Sequence, residues 1–206
     1  MKLIDVHAHL KKLGVPVFRT ADAMAYLNIK KDHASKLLAR LKDSEHIVRL
    51  KRGLWVFPER LDPLELPEHL TAPFPSYISM QSALYFHGMI SQIPAITYSV
   101  SPARTRVYKT PLGIFSIHHI SPSFFFGYEP VGKSGIKMAI PEKALLDFLY
   151  MSPAKSKLFR SLPELELPRK FNSRRMRQMI KRISSAGRRT LLEKRLQELM
   201  TKVKKS

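Results

Sequence analysis

Between residues 31 and 41 the chain sets Lys31, His33, Ser35, Lys36 and Arg40 around an apolar stripe of Ala34, Leu37, Leu38 and Leu41. The stripe recurs at i, i+3, i+4 and i+7, the signature of a helix with one buried face. The side chains left outside are hydrogen-bond donors. Their chemistry is recognition: Lys and Arg pair with phosphate or guanine edges, and Ser and His reach base edges or phosphates. Lys36 and Arg40 are four apart, so both can reach one groove. Further on, Arg49, Lys51 and Arg52 lie in and beside the turn between two apolar runs, residues 47–50 and 54–57. Gly53 supplies the positive φ that a tight hairpin loop needs. Upstream, Thr20 stands where a short helix should begin, as its N-cap, and its hydroxyl and backbone N–H suit a phosphate.

Bond-making chemistry has weaker candidates. Glu142 and Asp147 flank Lys143 near a strand–helix junction, but they lie five apart and point to different helix faces. Glu129 is isolated. Nothing forms a two-carboxylate metal site. IDVHAHL places His7 and His9 after an apolar start and resembles the first metal-binding signature of amidohydrolases. Those barrels need about 250 residues, and this chain has 206. His87, His118 and His119 do not complete a ligand set on successive strands. Both early histidines are expected on the polar side of a first helix. The sequence is therefore read as a binding protein, not an enzyme, with no catalytic residue, metal or cofactor assigned. A nuclease carrying a DNA-targeting module, or a protein-binding regulator, is the alternative.

The elements that must position the donors follow from periodicity. Residues 2–13 form a first helix with Leu3, Val6, Leu10 and Leu13 on one side, ended by Gly14 and Pro16. A short second helix has Ala21, Met24, Ala25 and Leu27 inward and breaks at Asn28. The third helix runs from about Lys31 to Lys42, and a hairpin follows. That order is a winged helix-turn-helix, in which a helix enters the major groove and a basic hairpin holds neighbouring phosphates.

Residues 58–75 contain five prolines in eighteen positions, which rules out a continuous helix or central strand. The expected organisation is a winged helix-turn-helix over 1–58, a proline-rich linker over 59–75, and an α+β domain over 76–206. In that domain Ser79 caps a helix to about His87, followed by Gly88, with Met80, Ala83, Leu84 and Met89 inward. Strands are predicted over 96–100, 104–108, 112–117 and 136–140. Pro141 opens a helix with Ala144, Leu145, Phe148 and Leu149 on one face. Three adjacent aromatics, Phe124, Phe125 and Phe126, cannot all face one core from a regular strand. A twisted edge or a loop is expected to bury them.

The formal charge of +20 is uneven: residues 1–60 hold 13 Lys+Arg against 6 Asp+Glu, residues 61–150 hold 6 against 6, and residues 151–206 hold 17 against 4. Two basic ends around a neutral middle suit a polyanion, with affinity falling steeply in salt. RNA or an acidic protein are the rival partners. A membrane is not expected: no apolar run approaches the roughly 18 residues of a span, and the basic stretches lack aromatic anchors. There is no cysteine and no secretory signal pattern, which fits the cytoplasm. In the tail, Asn172 or Ser173 caps a helix with Met176, Met179, Ile180 and Ile183 buried. Gly187 interrupts, and a capping box Thr190–Glu193 opens a last helix bearing Leu192, Leu196, Leu199 and Met200. Arg174, Arg175, Arg177, Lys181, Arg182, Arg188 and Arg189 make a second basic surface.

Several stretches resemble AbiEi-type antitoxins: the wing LKRGLWVFP, the helix ASKLLARL before it, SMQSALYFHGMI, the strand ITYSV, and IPEKALLDFLY. The resemblance covers roughly residues 15–150. This chain has Ser44-Glu45-His46 where the family has a turn glycine, and Lys30 where a better N-cap is usual. The resemblance implies the antitoxin of a type IV toxin–antitoxin operon linked to abortive phage infection. Its winged helix would bind inverted repeats in double-stranded DNA of its own promoter and repress it. Its C-terminal domain would counter a nucleotidyltransferase-like toxin without requiring a stable complex.

Overall fold

The computed structural model describes residues 2–151 and 165–203. The part of the basic tail over 152–164 and 204–206 lies outside the described residues. The fold is α+β, in two compact units. The first takes residues up to Leu70 with Lys109–Gly113, and the second takes Thr71–Tyr108 and the chain from Ile114 onward.

The first unit begins with α1 (Leu3–Lys11), β1 (Val17–Arg19), α2 (Thr20–Leu27) and α3 (Lys31–Asp43), followed by the hairpin strands β2 (Val48–Lys51) and β3 (Leu54–Val56). The three strands form one sheet in the order β1-β3-β2, antiparallel throughout. β1 is absent from the sequence reading because three residues carry no periodicity. Val6 and Leu10 of α1, Phe18, Ala23, Leu37, Leu38, Leu41, Ile47, Trp55 and Phe57 form the core, with Leu3, Leu13, Leu27 and Ile29 packed against it. Each of the three α3 leucines contributes roughly 1.5–3 kcal/mol of apolar burial before entropy is counted.

Two details of this core depart from expectation. In α2 the buried residue is Ala23, and Ala21 and Ala25 face solvent. Three alanines in one short helix give little hydrophobic phase to read. His7 does not sit on the polar side of α1. Its ring stacks on His46 with centroids 4.8 Å apart and lies 5.6 Å from Phe57.

Asn28 ends α2 in the left-handed region, as its short amide side chain permits. Glu45 occupies the same region at φ 58° in the connection to the hairpin. The Glu45 N–H donates to the Lys42 carbonyl and the His46 N–H to the Leu41 carbonyl. Glutamate therefore takes the conformation for which glycine is the usual choice.

The expected linker is folded. Two 3-10 turns, Pro58–Arg60 and Pro63–Glu65, lead into α4 (Leu66–Thr71). Leu61, Leu66 and Leu70 are buried. Pro58 and Pro63 open the two turns and Pro67 lies in the first turn of α4, where a missing N–H costs nothing.

The second unit is built on a six-stranded sheet of β4 (Tyr77–Ile78), β5 (Thr97–Ser101), β6 (Arg106–Thr110), β7 (Gly113–His119), β8 (Tyr128–Val131) and β9 (Ile136–Ala139), in the order β6-β7-β5-β4-β9-β8. β4 pairs antiparallel with β5 and parallel with β9, so a two-residue strand joins the halves of the sheet. β4 and β8 were not anticipated. α5 (Met80–Phe86) packs on β5 and on α6 (Pro141–Met151). Beyond α6 lie α7 (Ser173–Lys181) and α8 (Ala186–Val203). Phe124 is buried in a 3-10 turn, and Phe125 and Phe126 are half-buried beside it. α8 begins at Ala186, not at the Thr190 box: the Thr190 hydroxyl turns back to the Ala186 carbonyl, and Gly187 sits within the first turn. Among the described residues no helix is long and apolar enough to cross a membrane.

Candidate nucleic-acid interface

α3 places Ala34, Leu37, Leu38 and Leu41 in the core and leaves Lys31, His33, Ser35, Lys36 and Arg40 exposed. A helix turns about 100° per residue. His33, Lys36 and Arg40 therefore fall within roughly 60° of one another, on the side away from the buried stripe. Ser35 and Lys31 lie toward the opposite flank. Asp32 and Asp43 stand at either end of the outward face, and Asp43 is paired with Lys42 at 3.0 Å. Among the described residues none of the five predicted donors makes a hydrogen bond or ion pair within the protein. Their capacity faces water.

The hairpin is short. Arg52 and Gly53 form its turn, with Gly53 at φ 75°. Arg52 is exposed at the tip. Arg49 is exposed, and its guanidinium lies over the Trp55 ring, 5.8 Å from the centroid. That contact fixes the plane of a side chain whose donors still point outward.

Two of the predicted phosphate contacts, Lys51 and Thr20, have partners within the fold. The Lys51 ammonium donates to the Leu70 carbonyl at 2.8 Å and is half-buried. It serves the last turn of α4, where carbonyls lack partners and a cation is favoured. Thr20 is the first residue of α2, with Arg19 as its cap: the Arg19 N–H donates to Asp22 at 2.6 Å. The Thr20 N–H donates to the Gly53 carbonyl at 3.0 Å, and its hydroxyl accepts from the Trp55 indole at 2.9 Å. The N–H is used within the fold, and the hydroxyl oxygen already serves the indole. They pin the hairpin turn and the central strand to the head of α2.

The second basic set also divides. Arg174, Arg175, Arg177 and Lys181 are exposed along α7, opposite buried Met176, Met179 and Ile180. Arg182 lies over the Phe126 ring at 3.6 Å. Arg188 hydrogen-bonds the Tyr150 hydroxyl and covers its ring at 4.6 Å. Arg189 donates to the carbonyls of Ile183 at 2.6 Å and Ser184 at 3.2 Å, capping the end of α7. Of this set, Arg174, Arg175, Arg177 and Lys181 are the exposed residues whose side chains have no partner among the described residues.

A polar cluster inside the second unit had no counterpart in the sequence reading. Lys143 and Asp147 are fully buried and paired at 2.5 Å. Asp147 also accepts from the Tyr77 hydroxyl at 2.9 Å and the Ser79 hydroxyl at 2.7 Å. Ser79 stands at the cap position of α5 but spends its hydroxyl here. The Lys143 ammonium lies over the rings of Phe124 at 3.6 Å and Phe126 at 4.8 Å. Burial pushes its pKa down, the Asp147 charge pulls it back up, and Arg182 adds to the lowering. Burial, with Asp147 beside it, raises the Tyr77 phenol well above its ordinary value. Glu142 is buried too and accepts from the Asn172 N–H at 2.7 Å. Asp147 and Glu142 thus both accept hydrogen bonds within the fold, and Glu129 is exposed on β8. α6 is buried all round from Glu142 to Leu149, but its sequence sets Lys143 and Asp147 four apart on one polar side, the pattern of a solvent-facing pair, so no local signal marks their burial.

No protein-family model matches the chain, and no curated protein matches it either.

Proposed function

We propose that the first unit is a winged helix-turn-helix that binds duplex DNA, with α3 as the reading helix and Arg49 and Arg52 on the backbone. One observation carries this: α3 is held by four apolar residues and presents His33, Lys36 and Arg40 in one unpaired outward row. A helix so mounted fits the major groove. Lys31 and Ser35 flank the row and reach phosphate or a base edge. With Lys31, Lys36, Arg40, Arg49 and Arg52 on phosphates or bases, about five counterions are released, giving a log–log salt slope of roughly −4 to −5.

The wider reading rests on the AbiEi-like stretches. The chain is an autorepressor and antitoxin that binds inverted repeats in its own promoter inside the cytoplasm and counters a nucleotidyltransferase-like toxin. Direct contact with that toxin is not required.

The test is binding to a labelled fragment of the chain's own promoter against a scrambled duplex of equal length, over a range of salt. Promoter preference is expected. Lys36→Ala with Arg40→Ala should lose it, at roughly 1–3 kcal/mol for each base contact that is bidentate. Arg52→Ala should weaken both duplexes and flatten the salt slope by about one. Lys51→Ala should leave the slope nearly unchanged, because its ammonium serves Leu70. Equal affinity of the two duplexes, or of the wild type and the α3 double variant, refutes sequence reading by α3. Growth protection on co-expression with the neighbouring toxin gene tests the antitoxin half.

A further inference from the structure

The two edges of the six-stranded sheet are built differently. β8 closes one edge and carries Pro130, which has no N–H to offer a further strand. β6 closes the other edge, and from Arg106 to Thr110 it contains neither proline nor glycine. It is bonded to β7 on one side, and among the described residues no strand lies on the other. An edge strand keeps a row of N–H and C=O groups directed away from its neighbour, ready to pair with another chain. Arg106 and Val107 point to opposite faces of the sheet, yet both are exposed, Val107 at 53%. At these positions the edge is covered on neither face.

The charge of this edge is the second observation. From residue 69 to residue 128 the sequence has no Asp or Glu, and its only Lys and Arg residues are Arg104, Arg106 and Lys109. All three are exposed, on β6 or just before it. Arg106 shares one face with Tyr108, and its guanidinium lies over that ring at 5.1 Å from the centroid. Val107 and Lys109 share the other face. Cations on an edge ward off strands of like charge. A second copy of this chain pairing through β6 would set Arg106 and Lys109 against like charges, which is destabilising, whereas carboxylates opposite them are favoured. A phosphodiester backbone could meet the cations, but it has no donor for the outward carbonyls. A peptide strand supplies both donors and acceptors. We infer that β6 is a docking edge for an acidic, extended segment of a partner protein, which joins the sheet as a further strand. Main-chain hydrogen bonds hold the segment, and carboxylates opposite Arg106 and Lys109 set its charge and register. This edge does not depend on DNA reading by α3.

The experiment titrates the full chain, freed of nucleic acid, with end-blocked peptides. Binding is followed by calorimetry and by hydrogen exchange of the β6 amides. The probe TETVETE, laid antiparallel, sets Glu opposite Lys109, Arg106 and Arg104 and Val opposite Val107. It should bind and slow exchange in β6. PEPVEPE carries the same charge without a full set of N–H donors and should bind roughly tenfold more weakly or not at all. TKTVKTK should not bind. Arg106→Glu with Lys109→Glu changes two exposed side chains and should reverse the preference between TETVETE and TKTVKTK. Lys36→Ala with Arg40→Ala should leave TETVETE binding unchanged. The proposal is overturned if TETVETE does not protect the β6 amides, or if the charge reversal leaves the preference as it was. It is overturned if PEPVEPE binds as tightly as TETVETE, which is the behaviour of a generic cationic surface, or if the α3 variant loses the peptide. Protection of β6 by a nucleic-acid strand and by no peptide would assign the edge to nucleic acid instead, and would also overturn it.

Discussion

Asp147→Asn removes the one charge that balances the buried Lys143 ammonium, and its cost follows from what Asp147 holds. It accepts from Lys143 on one oxygen and from Tyr77 and Ser79 on the other, all in the interior. Breaking a buried pair from one side costs about 3–5 kcal/mol, because the remaining charge is left without a partner. The asparagine oxygen can keep both hydroxyls, as one carboxylate oxygen already does, but its amide N–H2 then faces the ammonium and is left without an acceptor, at roughly 1–3 kcal/mol more. The sum approaches the whole 5–15 kcal/mol by which domains of this kind are folded. Urea unfolding followed by far-UV ellipticity should therefore show Asp147→Asn strongly destabilised. Lys143→Met added to it removes the orphan charge and sets a thioether among Phe124 and Phe126. The double variant should regain about 2–3 kcal/mol, read as a coupling energy in the double-mutant cycle. There is a second check, with a definite sign. Without Asp147 the folded-state pKa of Lys143 falls further below its unfolded value. The unfolded chain then binds more protons, and stability rises with pH through that window. The deficit of the single variant should shrink in alkali, and that of the double variant should not. A loss below about 1 kcal/mol, well under the buried-pair range, or a double variant no better than the single one, refutes the reasoning.

The other predictions concern backbone and pH. Glu45→Gly should stabilise the first unit by about 0.5–1 kcal/mol, since the relief of a left-handed non-glycine residue exceeds the entropy of glycine; a lowered denaturation midpoint would contradict this. Gly127→Ala should destabilise the second unit by roughly 2–3 kcal/mol, because Gly127 sits at φ 76° and an added Cβ would lie 3.1 Å from Lys143 Cγ. Burial lowers the pKa of His7, His69 and His118; Lys11 and His46 lower His7 further, and Glu65 and Glu68 partly offset the effect at His69. Their unfolded forms bind more protons below about pH 6.5, so stability should be complete above that value and fall as acid titrates the folded histidines. Thermal melts between neutral and mildly acidic pH measure this, and a flat profile would refute it.

What was legible in the sequence was whatever repeats within one element. The α3 stripe, the Met176–Ile183 stripe and the Pro141 start of α6 all lie where periodicity and capping put them. The misses are of two physical kinds. β1 and β4 are three and two residues long, and β8 carries Pro130 within it, which reads against a strand. The second kind concerns side chains whose partners are distant in the chain. Thr20 meets Trp55 across 35 positions, and Tyr77 meets Asp147 across 70. A local reading gives Thr20 and Lys51 wholly free groups, whereas the fold engages both. The α3 donors are exposed, and among the described residues their side chains have no hydrogen-bond or ion-pair partner.

Trp55 has a further consequence. It is the chain's one tryptophan, buried on the central strand of the first unit, with its indole N–H on Thr20 and Arg49 across its ring. The protein therefore carries a built-in fluorophore confined to one unit. Its emission reads the packing of the first unit without a label, whereas ellipticity reads both units. Superimposing the two denaturation traces shows whether the units melt as one cooperative body or in turn. A duplex that draws Arg49 off the indole would announce itself as a change in emission intensity during titration.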